Sequence, residues 1–445
     1  MMFIENKPDI EELQDSILWC LEHTNEISKY SNSNNSKKLF IDDKNYFENS
    51  IKSINNSLNK INEIQHTKQY EKTYKNKDQN KDQQFNTLRT IIKYPNYKFY
   101  PEKEEDKYCK YINIRGIVKS CDIYSLTPVS SIHDLIGYDL EFNLNKLNKT
   151  LKQHRSPKNT PNIYSIYICN TAIPKFAEKL KNYKDDTYLQ NLNCRFILVS
   201  GDSDDTCPED LFESNKNFKE FIENDKIVHW YAQNCVQSNH THKKLSQIPI
   251  GLAYHHNYNE DIKEESNKII SPMKQEEMLD SIINAPQKSN KMNMPFWKRE
   301  LKCYINFNFD KNYIRSRFGY DRYEAITKIP QNLIFSEDGE VSRTISWNTQ
   351  IKYAFVVSPF GNGYDCHRTW EALILGCIPI VKSSGLDNLY EGLPVLIVQD
   401  WNDITEKLLM KVITEFKHKH EKGEFNYDKL TLKYWMDKIN SHKFT

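Results

Sequence analysis

The chain has no apolar stretch approaching the ~20 residues that a membrane-spanning helix needs. Its first residues, MMFIENKPDIEELQDSILW, bring acids early and hold no apolar signal-peptide core. Neither charge is in excess: 61 basic residues face 60 acidic ones, for a formal net charge of +1. That balance gives no electrostatic ground for nucleic acid or another polyanion as a partner. Ten cysteines are present, with no C-x-x-C pair, and most sit inside apolar runs. Buried free thiols are expected from them rather than a disulfide framework. These absences together predict a soluble, cytoplasmic protein with no membrane span. Hydrophobic residues, at 38%, are few for a compact protein, but aromatics at 12% are many, so substantial cores are still expected.

Glycine and proline are missing from Asn25 to Gln84, a stretch rich in Asn, Lys and Ser. Ile10, Leu13, Ile17, Leu18 and Cys20 share a helical face, and Phe47, Ile51, Ile54, Leu58 and Ile61 repeat at helical spacing. Residues 72–84 have no apolar anchor and read as a link or loop. Residues 1–104 are therefore expected to form a helical, low-complexity extension.

The remaining chain alternates apolar runs with amphipathic stretches, and 445 residues are too many for one typical core. YCKYINIRGIVKSCDIY, from Tyr108, alternates as a strand would, and Ser130–Ser131 precede a helix start at IHDLIGYDLEF. Strands are expected at 163–170, 194–205, 226–234 and 244–255, with helices at 175–183 and 208–223. Such alternation predicts a parallel sheet covered by helices, with binding groups at the C-terminal strand ends. Those ends are Asn170, Gly201 to Asp205, and Gln233–Asn234. A polar connector over 257–298, with a helical patch at Gln275–Ile283, leads to a second alternating region. There, strands are expected at 301–309, 332–335, 354–360, 377–382 and 395–398, and helices at 320–329 and 346–353. A tail helix follows, with Asn402 as its candidate cap, and a last helical piece lies at 433–439. The expected fold is thus α/β with two Rossmann-like lobes over 105–256 and 299–400, and a helical tail over 401–445. The cleft between lobes is the default ligand site.

The densest stretch is Tyr353–Trp401. A strand ends at Ser358–Pro359, and Gly361-Asn362-Gly363 follows, a loop able to adopt positive φ and bring N–H groups near a ligand. Asp365 is placed to cap a helix over Cys366–Leu375, whose N-terminus favours phosphate. His367, Arg368 and Glu371 share a face at 3–4 spacing. A guanidinium neutralises a diphosphate bidentately, and a carboxylate one turn later accepts both hydroxyls of a ribose. This division of labour suits a nucleotide-diphosphate sugar. Singly, these features read more plainly, as a surface ion pair, a turn and a structural histidine.

SPFGNGYDCHRTWEALILGCIPIV, followed by LPVLIVQDW, resembles the donor-binding half of exostosin-like glycosyltransferases of the GT-B fold. The resemblance is carried, in order, by Gly361 and Gly363, Arg368, Glu371–Leu373, Gly376–Pro379 and Asp400–Trp401, with weaker echoes at 248–252, 305–308 and Arg315. It covers about fifty residues specifically and none before about 105. It implies sugar transfer from a nucleotide donor to a glycan or protein acceptor, with Arg368 and Glu371 on the donor.

No base is evident within that stretch. Gly201-Asp202-Ser203-Asp204-Asp205 ends a strand of the first lobe, so one of Asp202, Asp204 and Asp205 is the candidate base for an acceptor hydroxyl, unless the loop is a solvated turn. Its Asp-x-Asp resembles a divalent-metal site of a different, single-domain glycosyltransferase architecture. His229, His240, His242, His255 and His256 form a loose group without metal-site spacing, and His229 or His255 is a second kind of candidate base. No resident metal or cofactor is expected. A non-catalytic nucleotide-sugar or carbohydrate binder, and a nucleotide-sugar epimerase, are the rival readings.

Overall fold

The computed structural model describes residues 107–124, 162–181, 194–236, 242–254, 271–284, 294–307, 318, 320–337, 339 and 341–444. The chain divides into two units, Met1–Pro101 and Glu102–Thr445, and every described residue belongs to the second. The expected N-terminal helices, the helix start after Ser131, Arg315, His240, His255 and His256 lie outside the described residues.

The first described element corrects an expectation. Residues 108–124 do not form a strand; Ile114–Ser120 is a helix, α1. Asn113 caps it, its Oδ1 accepting from the Gly116 N–H at 2.7 Å. Ile114, Ile117 and Val118 then face one core at helical spacing. The cap satisfies an N–H that has no partner within the helix, and this local bond decides between two periods that the apolar pattern alone permits.

Four parallel strands follow: β1 (Asn162–Cys169), β2 (Cys194–Gly201), β3 (Ile227–Ala232) and β4 (Leu245–Gln247), adjacent in that order. Helix α2 (Ile173–Lys181) packs Phe176 edge-on against Phe196 of β2, with centroids 5.9 Å apart. Helix α3 is shorter than expected, Asn215–Ile222, because Ser214 caps it. Strand β4 also stops early, at Gln247; Pro249 has no N–H to offer a ladder, and Gly251 instead bridges back to Asn113.

Helix α4 (Pro272–Ile283), capped by Ser271, leads to a second parallel sheet. Its elements in chain order are β5 (Glu300–Ile305), α5 (Asp321–Lys328), β6 (Ile334–Ser336), α6 (Arg343–Gln350), β7 (Tyr353–Val357), α7 (His367–Ile374), β8 (Ile378–Lys382) and β9 (Leu396–Val398). The spatial order is β6-β5-β7-β8-β9. Helix α6 begins three residues before the expected start because Ser342, not a later serine, caps it. Likewise Thr405, not Asn402, caps α8 (Glu406–Glu421), while Asp400 caps a short turn at 401–403. The chain ends in α9 (Leu432–Ser441).

Strand alternation sorts side chains into three cores. Ile166, Ile168, Phe196 and Leu198 line the outer face of the first sheet. Cys303, Ile305, Phe355 and Val357 line the outer face of the second. Between them one shared cluster takes Tyr167, Ile197 and Val199 from the first sheet and Tyr304, Val356 and Trp370 from the second half. The nine described cysteines are free thiols, eight of them buried.

Helix α9 returns to the first sheet. His442, just beyond it, stacks on His229 of β3 at 4.2 Å, and its Nε2 lies 3.0 Å from the Tyr231 hydroxyl. His229 Nε2 lies 2.8 Å from Ser246 Oγ. Burial, with His442, Lys438, His242 and Lys244 around it, pushes the His229 pKa down to about 3. The unfolded chain therefore binds more protons than the folded one from an ordinary histidine pKa of about 6.5 down to about 3, and stability is lost as pH falls through that window. The urea midpoint of the wild type is expected to fall between pH 7 and pH 5, and that of His229→Gln to fall less; parallel curves would contradict this.

Candidate functional site

The strand order of the second sheet reverses beside β5: the next strand, β6, lies on one side and β7 on the other. In open parallel sheets ligands bind outside the C-terminal strand ends at such a reversal. The residues that follow β5 and β7, Asn306–Phe307 and Ser358–Gly361, occupy that position. The described strands of the first sheet run in sequential order and offer no equivalent reversal.

Arg368, in the first turn of α7, reaches this place. Its Nε donates to Asn306 Oδ1 at 2.9 Å, and its guanidinium carbon lies 5.2 Å from the Phe307 ring centre. Ser358 and Thr369 hydroxyls, 2.9 Å apart, tie the end of β7 to the same helix.

The glycine loop differs from the expectation. Gly361 and Gly363 do not have positive φ. The Gly361 N–H donates to the Gly363 carbonyl at 3.1 Å, so the loop closes on itself. What requires glycine at 363 is close approach: a Cβ there would lie 2.6 Å from Asn234 Nδ2. Asn362 is exposed.

Asp365 is not the helix cap; Cys366 holds that position without a side-chain bond. The Asp365 carboxylate turns toward the first sheet and accepts from the Ile250 N–H at 2.7 Å, Trp370 Nε1 at 2.8 Å and the Tyr390 hydroxyl at 3.4 Å. Its own N–H donates to Asn234 Oδ1 at 2.8 Å. Burial raises its pKa to about 6, against the pull of these donors.

His367, Arg368 and Glu371 share a helix but go to three partners. His367 Nδ1 lies 2.7 Å from the Gly251 carbonyl. Glu371, buried, forms an ion pair with Arg343 of α6 and accepts from Trp347 Nε1 at 3.3 Å. Burial opposes its charge, but Arg343, with His367 and the Trp347 indole, outweighs that and holds its carboxyl below the usual range. Arg343 also donates to the Ala253 carbonyl at 2.9 Å and to Gln275 Oε1 at 3.0 Å. No motif pointed to Arg343 or to Asn234's contact with the loop, whereas Asn306 lies within the 305–308 echo.

The three strand ends of the first sheet do come together. Asn170 Nδ2 donates to the Gln233 carbonyl at 3.4 Å, the Asp202 N–H to Gln233 Oε1 at 3.2 Å, and Asn234 Nδ2 to the Ser203 carbonyl at 3.1 Å. Asp202 and Asn234 both take left-handed backbone, φ 55° and 51°. Asp202 is buried and accepts from the Tyr167 hydroxyl at 3.0 Å. Burial raises its pKa, with Arg115 opposing. Asp204 is exposed, and Asp205 accepts from the Ser203 hydroxyl. His229 is held under α9, away from these strand ends, and among the described residues no three His, Cys, Asp or Glu side chains are grouped as metal ligands.

Asn234 thus joins the halves: it holds the Asp202–Asp205 loop with its amide nitrogen and the Gly361–Asp365 loop with its amide oxygen. No protein-family model and no curated protein matches the chain. Among the described residues no helix is long and apolar enough to cross a membrane.

Proposed function

We propose that the chain is a glycosyltransferase of the two-lobed GT-B type, exostosin-like, that moves a sugar from a nucleotide-diphosphate donor to a hydroxyl of a glycan or protein acceptor. The observation that carries this reading is the position of Arg368. It stands at the strand-order reversal of the second sheet, on a helix start that follows a glycine loop. In this reading the two parallel sheets are Rossmann-like lobes, the second holding the donor and the first the acceptor.

Arg368 and the N-terminus of α7 offset the charge that grows on the leaving diphosphate. Of the three acids in the first-lobe loop, Asp202 is our choice of base. It alone is buried, at the strand end that Asn234 links to the donor loop, and burial raises its pKa toward the range useful for proton transfer. Glu371 is the expected ribose partner, and it would serve from within its pair with Arg343.

Calorimetry of the full chain with a panel of nucleotide sugars tests the donor assignment. One donor is expected to bind, and Arg368→Ala to bind it roughly ten- to a hundredfold more weakly at unchanged thermal midpoint. Equal affinity in the variant would overturn the role of Arg368. Binding without any release of nucleotide would favour a non-catalytic binder.

A further inference from the structure

Two thiols meet beside the turn that carries Asn234. Cys207 follows the Asp202–Asp205 loop, Cys235 follows Asn234, and an isolated parallel bridge outside both sheets pairs them. The Cys207 N–H donates to the Asn234 carbonyl at 3.0 Å, and the Val236 N–H to the Cys207 carbonyl at 2.9 Å. Residues bridged in this way stand about 5 Å apart with their side chains on one face, inside the roughly 4.4–6.8 Å that a disulfide spans between Cα atoms. Burial raises the Cys207 thiol well above its ordinary range, and a hydrogen bond with the Cys235 side chain adds to the rise. Both are free thiols and fully buried. Among the described residues no other two cysteines are paired across strands.

The Cys235 turn is also fastened to the second half. Gln247 Nε2 donates to the Cys235 carbonyl at 2.8 Å and to the Gly385 carbonyl at 2.7 Å. Val236 comes so close that a Cβ on Gly385 would lie 2.2 Å from its Cγ1. Asn234, one residue before the thiol, holds the Asp202–Asp205 loop and the Gly361–Asp365 loop with its two amide atoms. Two backbone bonds therefore fix Cys207 against the turn on which the seam between the halves depends, and a covalent link at the same point would fix it permanently.

We propose that Cys207 and Cys235 are an oxidation site, at which a hydroperoxide converts the two facing thiols to a disulfide that locks the Asn234 turn. One thiolate attacks a peroxide oxygen, the O–O bond breaks, hydroxide leaves and the sulfur becomes a sulfenic acid. The second thiolate attacks that sulfur, the S–S bond forms and the sulfenic oxygen leaves as water. Two thiols and one hydrogen peroxide thus give one disulfide and two waters. Burial keeps the thiols unreactive while the bridge is closed, so oxidation proceeds from the locally opened loop and closing then traps the link. This inference is independent of the donor reading.

Mass spectrometric mapping of the full chain after treatment with hydrogen peroxide tests the site, with free thiols alkylated in denaturant and the digest made without reductant. The wild type is expected to yield a linked peptide pair joining Cys207 to Cys235, which dithiothreitol resolves into two thiol peptides. The oxidised chain is expected to exchange the Val236 amide hydrogen at least roughly tenfold more slowly than the reduced chain, and reduction to restore the rate. Peroxide is expected to leave that exchange unchanged in Cys235→Ala and in Cys207→Ala. Recovery of both cysteines as alkylated thiols in the treated wild type overturns the site, as does a link from either to a different cysteine. A Cys207–Cys235 link that leaves the Val236 exchange unchanged overturns the lock. None of these results bears on nucleotide binding, so the donor reading stands or falls separately.

Discussion

Glu371→Ala is expected to destabilise the folded chain by about 3–5 kcal/mol, the usual cost of leaving one member of a buried ion pair behind. The carboxylate and Arg343 are both nearly buried, with side chains 11% and 12% exposed. Arg343 would keep the Ala253 carbonyl, Gln275 Oε1 and the face of Trp347, whose ring centre is 4.7 Å from its guanidinium carbon, and lose the carboxylate that balances its charge. A double variant, Arg343→Met with Glu371→Leu, is expected to recover most of the loss, because matched apolar groups replace such a pair at little cost. Urea unfolding followed by tryptophan fluorescence reads both effects. The sign with pH is set by a carboxyl held below its ordinary 4.5: the pair's contribution is present above that value and is lost as pH falls through the lowered pKa. A change under about 1 kcal/mol in Glu371→Ala would mean that Arg343 does not depend on this carboxylate.

Asp365→Ala has an expected cost of similar size, roughly 3–6 kcal/mol, because the Ile250 N–H, the Trp370 indole and the Tyr390 hydroxyl lose a common buried acceptor. Two of these donors belong to the second half and one to the first, so the seam between the glycine loop and residues 248–252 is expected to open with it. The Asp365→Asn variant separates charge from hydrogen bonding. Here the pKa is raised, from 3.8 to about 6, so the folded chain binds more protons than the unfolded one in that window. Stability falls as pH rises from about 4 to about 6, and the fall is complete above. This is opposite in sign to Glu371 and His229. The difference in urea midpoint between wild type and Asp365→Asn is expected to shift in the wild type's disfavour across that window; a constant difference would contradict a carboxylate whose burial outweighs its hydrogen bonds.

Much of the α/β pattern is legible in the sequence because strands buried on both faces read as continuous β-branched and aromatic runs and caps punctuate the helices. IYSIYIC and CRFILVSG become β1 and β2 within a residue or a few of the expected limits. The misreading at Ile114–Ser120 has a local cause: INIRGIVKS fits both periods, and Asn113 decides for helix. Shifts at α6 and α8 have the same origin, since Ser342 and Thr405 compete successfully with later or earlier polar residues as caps.

At the site, residue types were legible and directions were not. The sequence brings His367, Arg368 and Glu371 to one helix, but where each side chain goes is set by segments far off in the chain: Gly251 for His367, Asn306 for Arg368, Arg343 for Glu371. The glycine at 363 reads as conformational freedom and is instead clearance for Asn234, a residue 129 positions earlier whose own left-handed backbone no local signal announces. Strand-end logic did better. Asn170, Asp202 and Gln233 were grouped by the rule that parallel strands present their C-terminal ends together, and the hydrogen bonds link them.

The measurement that bears most directly on the proposed transfer is release of nucleoside diphosphate by the full chain across a panel of nucleotide sugars, with and without glycan acceptors. One donor is expected to yield free nucleotide and a glycosylated acceptor, and Arg368→Ala to lose most of that turnover while remaining folded. A wild type that releases nucleotide from no donor, or an Arg368→Ala variant that transfers at the full rate, would contradict the account.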